Sequence, residues 1–344
     1  MMTPQYSRSA INRVGNVLAD DSSSAEAMDA ALQTLSDWRA LHLRPMRTFQ
    51  SVLRRYAYAS DPKAIVAQRL KRTSTIIDKL KNRHQSMDLG RMHDVGGLRA
   101  IVRTVQNVRE IENQFVRSRV KHILKRTYDY IAEPKESGYR GIHLVYEYQN
   151  PNRIDCDGLL IEIQLRTRLQ HLWATAVETA GFFFRSSLKS SQGNAQQLEF
   201  FQLVSALFAH VEGQLASVPL RQFSRGMLID KLQRFEKENG TLALLSGIQS
   251  VRSAKVPTPP DIGCWLISTA IDPPEVKIFP FLTSQWAIAN FVYGVTEGTA
   301  ECKSGKKKIV LVFADSVRKL EKAYPSFFLD IADFVKKVRM LIDR

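Results

Sequence analysis

Four groups of residues carry side chains that chemistry could use. Asp94 stands at the mouth of an apolar stretch, Leu98 to Val102, behind Gly96-Gly97. A carboxylate so placed suits Mg²⁺, which takes a few carboxylates together with phosphate oxygens. From Ile161 to Arg166 the chain alternates. As a strand it turns Ile161, Ile163 and Leu165 to one face and Glu162, Gln164 and Arg166 to the other. A strand of this kind is either a solvent-facing edge or the floor of a site. The stretch Pro134-Lys135-Glu136-Ser137-Gly138-Tyr139-Arg140-Gly141-Ile142-His143 reads as a tight loop with an aromatic at its tip. Such a ring either packs or stacks on a base. Lys71, Thr75 and Lys79 recur at helical spacing, a stripe that is either solvated or closed by an anion.

The elements that must position these groups follow from pattern and punctuation. Residues 1–60 read as a helical segment. Asp61-Pro62 reads as a helix start, with Asp as cap and Pro at the first position, and that helix carries Arg69, Lys71, Thr75 and Lys79. A strand over Leu98–Val102 is followed by a helix over Val108–Arg119 and by Lys121–Arg126, which leads into a strand. The polar turn Asn150–Gly158 joins Ile142–Tyr148 and Leu159–Arg166 into a hairpin. A helix over Leu169–Phe184 carries Trp173 and Glu178, and Ser186–Gln197 reads as a mobile connection. Residues 186–247 form a helical extension, with helices over Leu198–Leu215 and Met227–Glu238 and Gly240 as a stop. After Pro257-Thr-Pro-Pro260 the character changes. Trp265–Ile271, Glu275–Phe281, Ala287–Thr296 and Ile309–Phe313 read as strands, and Ser316–Ile342 as a helix or helix pair. The expectation is α+β: a mixed sheet flanked by helices over 61–185, and a separate, smaller α+β module over 248–344.

Composition narrows the class of protein. The 344 residues hold 49 Lys and Arg against 34 Asp and Glu, a net charge of +15. Between Asp61 and Tyr130 there are 16 Lys and Arg against 7 Asp and Glu. Concentrated positive charge attracts polyanions, nucleoside triphosphates and RNA alike. No apolar run of membrane-spanning length and no signal-peptide core occurs, so the cytoplasm is the expected location and no membrane partner is expected. Cys156, Cys264 and Cys302 are scattered, which suggests neither a zinc site nor a disulfide framework.

In order and spacing, the segments around Asp94–Arg99, Gly138–His143, Glu162–Thr167 and Trp173–Glu178 resemble the synthetase domain of the RelA/SpoT family. The resemblance covers roughly Ile65 to Thr179. It implies a nucleotidyltransferase-like sheet and a pyrophosphokinase that moves the β,γ-pyrophosphate of ATP to a ribose 3′-hydroxyl. It assigns Arg69, Lys71, Thr75, Lys79 and Arg99 to ATP. Lys135, Tyr139, Arg140, His143 and Gln164 go to the acceptor, and Asp94 and Glu162 to Mg²⁺ and the chemistry. Glu136-Ser137 stands where the family usually has Pro-Asn, and Thr179 where it commonly has His. Three functions stay open: synthesis of (p)ppGpp from GDP or GTP, pyrophosphorylation of the tRNA 3′-CCA end by a toxin, and an inactive nucleotide- or RNA-binding protein. The C-terminal module would then be a fused antitoxin, a sensor or a docking site for a protein trigger, and a homo-oligomer is a further expectation. The His93-Asp94 pair lacks the further histidines and acidic pair of a phosphohydrolase, so synthesis without degradation is expected.

Overall fold

The computed structural model describes residues 6–82, 88–118, 121–152, 154–187, 192–246, 262–271, 274–304, 306–313, 321–325 and 331–343. Three helices open the chain: α1 (Arg8–Ala19), α2 (Ala25–Leu41) and α3 (Leu43–Ser60). Ser7 and Ser24 cap the first two, each hydroxyl accepting from a backbone N–H of the first turn. Asp61 ends α3 instead of starting a helix. Its extended backbone and the following Pro62 release the chain into strand β1 (Ile65–Leu70). Arg69 is therefore a strand residue and Lys71 lies just past the strand, while Thr75 and Lys79 are on helix α4 (Thr73–Asn82). The expected helical stripe is corrected to a strand–turn–helix unit.

The remaining strands of the first half are β2 (Gly96–Val102), β3 (Ile123–Asp129), β4 (Ile142–Glu147) and β5 (Leu160–Thr167). Helix α5 (Val105–Arg117) follows β2, and α6 (Arg168–Ser187) follows β5. The hairpin between β4 and β5 forms as its polar turn predicts. Helices α7 (Gln192–Val211), α8 (Arg225–Asn239) and α9 (Thr241–Ser246) come next, with Gly240 left-handed at the end of α8. Of the expected connection Ser186–Gln197, the ends are helical and residues 188–191 lie outside the described residues.

The C-terminal part contributes β6 (Ile262–Ile271), β7 (Pro274–Leu282) and β8 (Lys307–Phe313), with helices α10 (Trp286–Glu297), α11 (Ala300–Lys303) and α12 (Ala332–Ile342). The strand expected over Ala287–Thr296 is helix α10. Its β-branched and aromatic residues imitate a strand, but Trp286, Ala289 and Tyr293 recur at helical spacing and pack on the sheet core. The Pro257–Pro260 boundary and the start of the final helical stretch lie outside the described residues.

All eight strands form one mixed sheet in the order β3-β4-β5-β2-β1-β8-β6-β7. β2 and β5 run parallel. β8 pairs antiparallel with β1, Gln68 beside Phe313 and Arg69 beside Val312. The C-terminal strands thus continue the sheet of the first half, and the expectation of a separate module is corrected accordingly. One face carries the main core, where Leu98, Leu144, Ile163, Leu266 and Leu311 meet α3, α5 and α10. The opposite face is apolar over β8 and β6, with Val310, Val312, Trp265 and Ile267. Over β5 and at His143 of β4, Arg99 of β2 and Arg69 of β1 that face is polar, while Ile65 and Ala67 of β1 join the apolar part. A second core of α6, α7, α8, α9 and α12, built around Trp173, Phe200, Phe208 and Phe334, flanks the polar part.

Candidate active site

Strand register sets the floor of the polar face. Gly97 lies beside Glu162 and Arg99 beside Gln164, Arg69 pairs with Gly97, and His143 pairs with Gln164. Gly97 has no side chain, so a cavity opens above it. That cavity, about 30 Å³, is lined by Arg69, Lys71, Asp94, Arg99, Glu162, Gln164 and Tyr324. A larger cleft of about 420 Å³ adjoins it, bounded by Arg69, Arg99, Tyr139, Arg166, Trp173, Glu178 and Phe201.

The two clusters expected from the sequence come together around Arg99. Lys71 Nζ reaches Asp94 Oδ2 at 2.6 Å and Lys79 Nζ reaches Oδ1 at 3.0 Å. Burial pushes the Asp94 carboxyl up, but the two ammonium groups outweigh it and hold the group far below the ordinary carboxylate range. Glu162 accepts from Gln164 Nε2 at 2.6 Å and pairs with His143 Nδ1 at 2.9 Å. Here too burial pushes upward, and the His143 and Gln164 contacts bring the carboxyl below its usual value. Arg99 is pushed down to about 10, first by burial and then by Arg166 and Arg69. Three guanidinium groups that repel one another around one cleft make a place for an anion. Glu178 lines the same cleft. Its carboxyl is pushed up by burial and down by Arg69, Lys308, Arg72 and Arg99, with the lowering dominant.

Tyr139 lies in the cleft wall, with its ring 6.4 Å from that of Trp173. Its loop is fastened to α7. Ser205 Oγ donates to the Gly138 carbonyl at 2.5 Å and Gln202 Nε2 to the Glu136 carbonyl at 2.7 Å. Lys135 Nζ sits 4.5 Å from the centre of the Tyr130 ring and 5.5 Å from that of Tyr139, at the rim of this loop. Of the expected acceptor residues, Tyr139 and Gln164 line the cleft, Lys135 and His143 line neither cavity, and Arg140 is engaged elsewhere. It is buried, turned away from the cleft, and paired with Glu212 at 2.8 Å. Between two flexible-looking glycines it reads as available, but α7 supplies a buried carboxylate that takes it. Of the expected ATP residues, Thr75 and Lys79 line neither cavity, Lys79 reaching the site only through Asp94.

Several wall residues carry no role assigned from the sequence, Arg166, Phe201 and Tyr324 among them. Arg166 is visible on the polar face of β5 without a stated role. Phe201 and Tyr324 are distant in sequence from the motifs and carry no local signal. Tyr324 closes the small cavity. Arg99 lies 5.6 Å from the centre of its ring and donates from Nη1 to the Ala323 carbonyl at 3.2 Å. One residue earlier, the Lys322 carbonyl meets His171 Nε2 at 3.1 Å.

Residues 68–183 match the family described as the region found in RelA / SpoT proteins. GTP pyrophosphokinase YjbM of Bacillus subtilis is 30% identical over 136 residues, which are 39% of this chain and 64% of that protein. A probable chloroplastic GTP diphosphokinase, CRSH of Arabidopsis thaliana, is 30% identical over 142 residues, 39% of this chain and 22% of that one. The chain therefore spans under two thirds of the length of these relatives. Among solved structures, small alarmone synthetase 1 from Bacillus subtilis aligns at 22% identity and a TM-score of 0.43, over 51% of this chain and 90% of that one. No helix among the described residues is long and apolar enough to cross a membrane. Residues 68–183 thus carry the region found in RelA / SpoT proteins, and the sequence relatives that align over it are named GTP pyrophosphokinases and diphosphokinases.

Proposed function

We propose that the cleft transfers the β,γ-pyrophosphate of ATP to the ribose 3′-hydroxyl of a guanosine nucleotide, giving (p)ppGpp and releasing AMP. The bond formed joins the 3′-oxygen to the β-phosphorus, and the bond broken is the α–β bridge, whose oxygen leaves with AMP. The observation that carries this reading is the single sheet face on which the Lys71–Asp94–Lys79 cluster and the Glu162–Gln164–Tyr139 cluster meet across Arg99. The names of the sequence relatives, GTP pyrophosphokinase and GTP diphosphokinase, support it.

The residues fit a divalent cation of the Mg²⁺ type. Asp94 and Glu162 line one small cavity, and the charge of Asp94 pushes the Glu162 carboxyl upward, a repulsion that a dication between them would relieve. Among the described residues no cluster of three or more His, Cys, Asp or Glu side chains forms. Phosphate oxygens would complete the shell, as Mg²⁺ prefers. When bound, the ion would neutralise charge on the bridging phosphate oxygens. The chain's own groups do the rest. Arg69, Lys71, Lys79 and Arg99 hold the triphosphate, Tyr139 stacks the acceptor base, and Glu162 takes the 3′-hydroxyl proton.

A second acceptor, the 3′ end of tRNA, is favoured by the positive charge around the site and by Glu136-Ser137 in the acceptor loop. The C-terminal strands would then be a built-in restraint. About 30 Å³ on the donor side has room for one or two waters and none for a nucleotide. We read Ala323–Tyr324 as holding the donor side shut in this form. The test is transfer of label from γ-labelled ATP, offered GDP, GTP and deacylated tRNA in parallel. Label on a guanosine nucleotide supports the first reading and label on tRNA the second. No transfer to any of them would leave the binding-protein alternative.

A further inference from the structure

Five side chains close a ring of hydrogen bonds between the two halves of the cleft. Arg166 donates from Nη2 to the Tyr139 hydroxyl at 2.7 Å and to Gln164 Oε1 at 3.1 Å, and from Nε to the same hydroxyl at 3.2 Å. The Tyr139 hydroxyl also meets His143 Nε2, and His143 Nδ1 meets Glu162 Oε1 at 2.9 Å. Gln164 Nε2 completes the circuit on Glu162 Oε2 at 2.6 Å.

The direction of every bond follows from the two ends: the Arg166 guanidinium only donates and the Glu162 carboxylate only accepts. A guanidinium can only donate, so the Tyr139 oxygen accepts from Arg166, and the single hydroxyl hydrogen goes to His143 Nε2. Nε2 is then an acceptor, and the ring hydrogen of the imidazole sits on Nδ1, facing Glu162. The other tautomer would leave the hydroxyl hydrogen without an acceptor and set the Nδ1 lone pair against a carboxylate oxygen. On the second arm, Gln164 Oε1 accepts from Arg166, and from Arg99 Nη2 at 3.4 Å. The amide nitrogen is left to donate to Glu162. Both arms begin at Arg166 and end on Glu162, one on each carboxylate oxygen.

Arg166 is only 7% exposed and is held from behind. Gly141, at φ +148°, brings the backbone so close that an added Cβ would lie 3.2 Å from Arg166 Cγ. The guanidinium is packed where it stands, so the ring has a fixed source.

We propose that Arg166 is a positioning residue of this site: by anchoring the Tyr139 hydroxyl and the Gln164 amide at once, it holds the Tyr139 ring and the Glu162 carboxylate in one fixed relation. This rests on the transfer reading for its kinetic consequence. The ring itself does not depend on that reading, and the experiment separates the two.

The variants are Arg166→Gln, Tyr139→Phe, their double, and Arg166→Lys, made in the full chain. Arg166→Gln should lower kcat for transfer about 10- to 100-fold, the usual range for a residue that orients a reactive one. KM for ATP should rise much less than kcat falls, because Arg69 and Arg99 remain around the cleft. Tyr139→Phe keeps the stacking ring and cuts one arm, so its loss should be smaller. The double variant should be no worse than Arg166→Gln alone, because the lost bond is shared. Arg166→Lys keeps a charge and one donor direction and should fall between wild type and Arg166→Gln. Independently of turnover, ¹⁵N NMR of the imidazole should show His143 carrying its hydrogen on Nδ1 in both forms, with the Nε2 resonance shifted in Arg166→Gln because the Tyr139 hydroxyl that meets it is no longer anchored. An unchanged His143 Nε2 resonance in Arg166→Gln, or losses that multiply in the double variant, would overturn the proposal. If no variant transfers label to any acceptor, the transfer reading fails while the Nε2 resonance still decides the ring.

Discussion

Asp61 shows how little of a side chain's role is fixed by its type. Read as a helix cap, it is instead a buried carboxylate at a helix end. It accepts from the Lys63 N–H, the Arg103 N–H and Arg103 Nε, each at 2.9 Å. Burial pushes its carboxyl up, but these donors outweigh burial and bring it below 3.8. A group whose folded value is depressed contributes stability above its unfolded value and loses it as pH falls through the folded one. Asp61→Asn should cost about 2 kcal/mol at neutral pH, the price of a buried donor left without its acceptor. Denaturant melts should show that gap closing as the pH drops below about 4. A gap independent of pH would contradict the assignment. At the reacting centre, Asp94→Asn or Glu162→Gln should lower transfer about 10²- to 10³-fold in a kcat measurement. Asp94, Glu162, Gln164 and Tyr139 are legible because strand alternation and a Gly-rich loop place them without help from distant chain. Arg140 is not, because its partner Glu212 is 72 residues away and nothing local announces a buried carboxylate.

Elements were legible where period and punctuation agreed. The β4–β5 hairpin and α5, α7 and α8 follow their patterns. β1 was hidden because Asp61-Pro62 serves a helix end as readily as a helix start, and α10 because its sequence is apolar on nearly all sides. Exposed Ile288, Phe291 and Val295 lie opposite the packed residues and blur its period. The acceptor loop shows how one element depends on another. Gly138 has φ +91°, and a Cβ there would lie 2.8 Å from Ser205 Cβ on α7. Gly138→Ala should destabilise the fold by about 1–3 kcal/mol. It should also raise KM for the acceptor, because the loop must lift off α7. Thermal melts and acceptor titrations check both, and an unchanged melting temperature would show that α7 does not clamp the loop.

At the scale of the whole molecule the sheet decides what can be removed. β8 pairs with β1, the strand that carries Arg69, so deleting 248–344 would strip three strands and leave β1 as a bare edge. That truncation should yield an aggregation-prone chain by light scattering, not a freed enzyme. Compositional change after Pro257–Pro260 gave no sign of this, since pairing between distant strands leaves no local pattern. Tyr324→Ala is the gentler probe. It removes the ring against Arg99 but keeps all eight strands. Because Tyr324 also packs in the core with Trp265, Val310 and Val312, a thermal melt must show the variant folded. It should then tighten binding of a non-hydrolysable ATP analogue about 2- to 30-fold, the range of a cation–π contact. Unaltered affinity would mean that Tyr324 does not compete with ATP.

The most direct test of the central claim is label transfer from γ-labelled ATP to GDP or GTP by the full chain and by Tyr324→Ala, with Glu162→Gln as control. The account predicts label on the guanosine nucleotide, more of it with Tyr324→Ala and at least a hundredfold less with Glu162→Gln. Transfer that Glu162→Gln leaves intact, or no transfer to a guanosine nucleotide by either active form, would contradict it.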